Sequence, residues 1–154
     1  MKAQNLVEVL KAKHLTIGSV ESMTAGLFSA LITEVPGASQ VYKGSLVTYV
    51  PETKRNLAGV LPETIERFGV ISWEVASEMA YNGRIKLDVD YCISIVGNAG
   101  PDVDHHSQKV GSVYIAVTNS ENVWGIPLSL KGTRDEIRRH AAESMVDFLL
   151  GIVR

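Results

Sequence analysis

The chain has 154 residues, 45% of them hydrophobic and 21% charged, with a formal net charge of −2. This length favours a single domain, residues 1–154, and the near-neutral charge lacks the basic footprint of a nucleic-acid binder. The longest apolar or small stretch, Ala25 to Ile32, falls well short of the ~20 residues that span a bilayer, the N-terminus lacks a secretory leader's apolar segment, and the lone Cys92 permits no internal disulfide, so a cytoplasmic protein with no membrane partner is expected.

In chain order, residues 3–13 place Leu6, Val9 and Leu10 on one helical face, and Leu15 to Val20 reads as a short buried strand. A turn at Glu21–Thr24 leads into a second helix with Leu27, Leu31 and Ile32 facing inward, ending near Pro36 and Gly37. Tyr42 to Val50 has strand composition. Pro51 suits a first helical position and Gly59 the residue after a last one, so a short helix lies between them. Pro62 to Gly69 repeats that punctuation. Ser72 is an N-cap for a helix carrying Val75, Ala76 and Met79. Tyr91 to Val96 is apolar enough for a central strand, with Cys92 as a small buried hydrophobe. Gly111 to Thr118 and Val123 to Leu130 read as two more strands around a polar turn. Thr133 and Glu136 form a capping box before a helix whose stripe is Ile137, Ala141, Met145, Phe148, Leu149 and Ile152. Helices before, between and after the strands predict a three-layer α/β/α sandwich with a mixed sheet.

Several corners between these elements carry hydroxyls, amines or glycines. At Glu21–Gly26 a strand gives way to a helix start, where free N–H groups suit phosphate and Ser22 and Thr24 add donors; the same residues also serve as ordinary turn and cap. Ser39 follows Gly37 at a short helical turn. Tyr49 stands at a strand end, because Val50 is held extended by Pro51, and Lys54 falls in the next first turn. The loop Gly97-Asn98-Ala99-Gly100-Pro101-Asp102 follows the most apolar strand, where ligands collect in open α/β sheets. Asp104, His105 and His106 read as an exposed loop without metal ligation. Arg134, at the start of the last helix, suits bidentate grip of a phosphate or carboxylate, while Arg138 and Arg139 read as surface charges.

Together these pieces resemble the C-terminal domain of the CinA family, whose competent members are nicotinamide mononucleotide deamidases. The resemblance runs from about Leu6 to Leu150. It rests on Glu-Ser-x-Thr-x-Gly at 21–26, Gly-Ala-Ser at 37–39, Gly-Ser-Leu-Val-Thr-Tyr ending at Tyr49, Glu52 and Lys54, Gly69-Val70-Ile71-Ser72, Gly97-x-Ala-Gly-Pro-Asp, Val110-Gly111 and Arg134-Asp135. It implies an amidohydrolase without metal or cofactor that uses a serine–lysine pair on a pyridine nucleotide, in a homo-oligomer. Ser39 is assigned as nucleophile, Lys54 as base and Tyr49 as the group orienting proton transfer, with Ser22 as rival nucleophile. The substrate is assigned to Ser22, Thr24, Gly26, Gly97, Ala99, Gly100 and Arg134. A lysine base needs its ordinary pKa of ~10.4 lowered to about 7–8, and burial and the neighbouring Arg55 are the expected means. The chain departs from the family pattern at Ala25, Pro51, Val96, Val103-Asp104 and Gln108-Lys109. Those departures leave a second reading open, a CinA-like domain of weak or no activity that binds a nucleotide or a protein partner.

Overall fold

The computed structural model describes residues 1–103 and 108–154. Its elements are α1 (Lys2–Ala12), β1 (Ile17–Glu21), α2 (Leu27–Thr33), a 3-10 turn (Ala38–Gln40), β2 (Tyr42–Val47), α3 (Pro51–Asn56), α4 (Pro62–Phe68), α5 (Trp73–Leu87), β3 (Tyr91–Gly97), β4 (Ser112–Thr118), β5 (Val123–Ser129) and α6 (Arg134–Val153). The strands form one sheet in the order β2-β1-β3-β4-β5. β2, β1 and β3 run parallel, whereas β4 and β5 are antiparallel additions. The sheet is therefore mixed, as the paired later strands predict.

Alternation along the strands divides the core into two layers. Ile17, Ile93, Ile95, Val113, Ile115 and Val117 face α1, α2 and α6. Val20, Cys92, Val96 and Ala116 face α5 and the segments around α3 and α4. Buried Leu6, Val7 and Leu10 give α1 its apolar stripe. On α5, Gly83 admits close contact, since a Cβ there would run into Val20 and Cys92. The Cys92 thiol is fully buried, and burial pushes its pKa up to about 12.

The predicted caps form. Ser72 Oγ accepts from Val75 N at 3.2 Å, and Thr133 and Glu136 exchange the two bonds of a capping box. β2 ends at Val47 rather than Val50. Val50 instead caps α3: its N–H donates to Thr53 Oγ1 and its carbonyl accepts from the same hydroxyl. Asp104, His105 and His106 lie outside the described residues. No helix among the described residues is long and apolar enough to cross a membrane.

The parallel strands end together at Glu21, Val47 and Gly97. In open sheets this carboxyl edge is where a crevice forms, and the chain places a cleft of about 630 Å3 there.

Candidate active site

Glu21 and Ser22 are consecutive at the end of β1, so their side chains leave on opposite faces of the sheet. Backbone bonds extend the ladder past the strand ends: Ser22 N donates to the Ile95 carbonyl at 2.9 Å, and Thr48 N donates to the Glu21 carbonyl at 2.9 Å. The Ser22 side chain points to the face carrying α3, where the Lys54 amine stands 2.8 Å from Ser22 Oγ. The amine also donates to the Thr48 carbonyl at 2.7 Å and the Tyr49 carbonyl at 3.4 Å.

Lys54 is fully buried. The ion pairs among the described residues are Lys2–Asp147 and Arg139–Asp135, so Lys54 has no carboxylate to stabilise its charge. Burial lowers its pKa from 10.5 to about 8. The neighbouring Arg55, expected to help, is exposed and takes no part in the shift. A neutral amine in this position has two N–H groups for the two carbonyls and one lone pair for the Ser22 proton.

The Glu21 carboxylate fills the corner where a phosphate was expected. It accepts bonds from Thr24 Oγ1 (2.9 Å), Gly26 N (3.1 Å) and Phe28 N (3.0 Å) on one oxygen. Its other oxygen accepts from Ser19 Oγ (3.1 Å), Ser29 N (3.1 Å) and Ser29 Oγ (2.6 Å). Glu21 and Thr24 are fully buried. The assignment of Thr24 and Gly26 to the substrate is corrected accordingly: their donors are committed to Glu21, and neither residue lines the cleft. Their service to the site is to hold Ser22 in place.

Ser39 is corrected as well. It is exposed on the 3-10 turn that precedes β2, whereas Lys54 follows β2. A strand of six residues is about 20 Å long, so Ser39 and Lys54 stand at opposite edges of the sheet and form no pair. Gly37 beside it packs against Lys11 of α1, far from the cleft.

The opposite rim comes from α6 and the loop after β3. Arg134 Nη2 donates to the Tyr49 hydroxyl at 2.6 Å, and Nη1 donates to the Gly100 carbonyl. Tyr49, Arg134, Gly97 and Ala99 line the cleft; Gly100 stands behind it and acts on it through Arg134. Asn98 braces the loop, with Nδ2 donating to the carbonyls of Asp102 and Gln108 and Oδ1 accepting from Gly100 N. Gly97 lacks the Cβ that would meet the Val113 side chain at 2.6 Å and the Ser112 carbonyl at 2.8 Å, so its backbone reaches the cleft wall. The described part of this loop borders the cleft and leaves it open.

Three further contributions are not evident from the sequence pattern. Arg138 is half-buried rather than a free surface charge, and its Nε donates to the Met23 carbonyl at 2.7 Å. The signal was present, since Arg134 and Arg138 are four apart and share a helix face. Ile65, Val70 and Ile71 supply the apolar wall, and Glu66 adds a carboxylate to it. Nothing local in the sequence separates Glu66 from its solvated neighbours. Among the described residues no group of three or more His, Cys, Asp or Glu side chains is placed to hold a metal ion.

Residues 1–153 match the CinA C-terminal domain family. A CinA-like protein of Petrotoga mobilis is 39% identical over 149 residues, which are 97% of this chain and 37% of that protein. The chain thus spans little more than a third of the length of the curated relatives it matches. A crystal structure of the competence/damage inducible protein CihA from Agrobacterium tumefaciens superposes with a TM-score of 0.95 at 27% identity, over 99% of this chain and 94% of that one. The competence or damage-inducible protein from Enterobacter asburiae does so with a TM-score of 0.97 at 26% identity, over 99% and 96% of the two chains.

Proposed function

The chain belongs to the CinA C-terminal domain family, and on that footing we propose that it is an amidohydrolase converting nicotinamide mononucleotide to nicotinate mononucleotide and ammonia, with Ser22 as nucleophile and Lys54 as base. One observation carries this reading: a fully buried lysine, without a carboxylate partner among the described residues, stands 2.8 Å from a serine hydroxyl on the wall of an open cleft. Serine attacks an amide only when a base removes its proton. Burial lowers the Lys54 pKa to about 8, close to the value that makes a lysine an effective base near neutrality.

In the proposed sequence, Ser22 Oγ bonds to the carboxamide carbon as its proton passes to the Lys54 amine. The N–H groups of Met23 and Ala99 make no hydrogen bond with another described residue, and both residues line the cleft; they are the proposed donors to the oxyanion. The Lys54 ammonium then returns its proton to the leaving nitrogen, the C–N bond breaks and ammonia departs. Water, deprotonated by Lys54, attacks the ester on Ser22; the bond to Ser22 Oγ breaks, the Lys54 ammonium returns the proton to Oγ, and the acid product leaves, losing its proton to solvent as the carboxylate. Arg134 is the proposed partner of the phosphate, and its Nη2 donates to the Tyr49 hydroxyl at 2.6 Å. Ile65, Val70, Ile71 and Val96 give the flat ring an apolar wall.

The test is to incubate the protein with nicotinamide mononucleotide and follow both products. Ammonia and nicotinate mononucleotide in equal amounts support the reading. An absence of both, with folded protein, sinks it.

A further inference from the structure

Among the described residues, the charged side chains that line the cleft are Lys54, Glu66 and Arg134. Arg134 opens α6, whose apolar stripe packs in one layer, and Glu66 follows Ile65 on α4, which packs in the other. The two opposite charges therefore flank the cleft from opposite faces of the sheet. Arg134 is held by Tyr49 and Gly100. Glu66 makes no hydrogen bond or ion pair with another described residue, so its carboxylate is uncommitted beside the apolar wall of Ile65, Val70 and Ile71. When Lys54 is neutral, as a base must be, the lining offers a negative charge at that wall and a positive one across from it.

We propose that Glu66 is a specificity-determining residue that selects amides carried on a cationic aromatic ring over those on neutral rings of the same shape. This inference rests on the reading of the cleft as an amidohydrolase site. A ring that stacks on the apolar wall brings its charge toward the Glu66 carboxylate, while an anionic tail reaches Arg134. Glu66 is exposed at the rim, so water screens the attraction and its effect is selective rather than large.

The experiment measures binding in the Ser22→Ala background, where turnover does not interfere. The ligands are nicotinamide mononucleotide, with a pyridinium ring, and benzamide C-riboside 5′-phosphate, a neutral isostere. Glu66→Gln should weaken binding of the pyridinium compound about five-fold and leave the neutral one unchanged. Glu66→Lys should weaken the first further and reverse the preference, and added salt should shrink the difference. Equal effects on both ligands, or none on either, overturn the assignment to Glu66 alone. Failure of the Glu66-containing protein to bind either ligand overturns the amidohydrolase reading, and the assignment falls with it.

Discussion

The Lys54 amine meets Ser22 Oγ at 2.8 Å across 32 residues of sequence, and one strand position decides that they meet. Glu21 turns toward α2 and knits the corner, so its neighbour Ser22 must turn toward α3. The Thr48 backbone completes the arrangement, donating to the Glu21 carbonyl and accepting from the Lys54 amine. The Lys54 amine, the Ser22 hydroxyl and their brace are thus fixed by the ends of two adjacent parallel strands.

Activity should follow the protonation of this amine. With a Lys54 pKa of about 8, kcat/KM for ammonia release should rise about tenfold per pH unit below that value and level off above it. The pH profile of initial rates checks this; a flat profile from pH 6 to 9 would contradict it.

Stability should carry the same signature. The folded pKa of Lys54, about 8, lies below its ordinary 10.5, so between those values the unfolded chain binds the extra proton. Stability therefore rises with pH across that window, and the full penalty for the buried charge applies below about pH 8. It amounts to about 3 kcal/mol. Urea titrations at pH 7 and pH 10 on wild type and Lys54→Met measure it, and the variant should lack this component of the pH dependence.

Glu21→Gln should cost about 3 kcal/mol. An amide NH2 replaces one of two oxygens that together accept six bonds, and donors such as Ser29 N and Gly26 N cannot turn away. Thermal or chemical denaturation reads the loss. A neutral outcome would show that the corner does not depend on the carboxylate.

Ala25→Gly should stabilise the protein by about 0.5–1 kcal/mol. Ala25 sits at φ 47 in the left-handed region, a conformation that disfavours a Cβ by roughly 1–2 kcal/mol, partly offset by the entropy of a new glycine. The residue is exposed, so little packing is lost. A rise in the denaturation midpoint is the expected result.

The layers and caps were legible because they depend on local pattern. The apolar run at Tyr91–Val96, the capping box at Thr133–Glu136 and the N-cap at Ser72 each predict an element that forms. The pairing of Lys54 was less accessible, since it depends on which hydroxyl lies at the same sheet edge. Ser39 and Ser22 both stand in motifs of the family, but Ser39 precedes a strand that Lys54 follows, and a strand separates its two ends. The helix start after β1 has the free N–H groups of an anion site, but the anion they meet is Glu21 of the preceding strand, a partner that local pattern does not single out. Glu66 lines the cleft, and Arg138 braces Met23 on its wall, only through contacts distant in sequence.

The most direct test of the central claim compares ammonia release from nicotinamide mononucleotide by Ser22→Ala and Ser39→Ala at matched folded concentration. Ser22→Ala should lose at least about 10^3-fold in kcat/KM, in the range seen when a serine nucleophile is removed, while Ser39→Ala should match wild type. Turnover that survives Ser22→Ala, or is lost in Ser39→Ala alone, would contradict the pairing of Ser22 with Lys54 as the reactive centre.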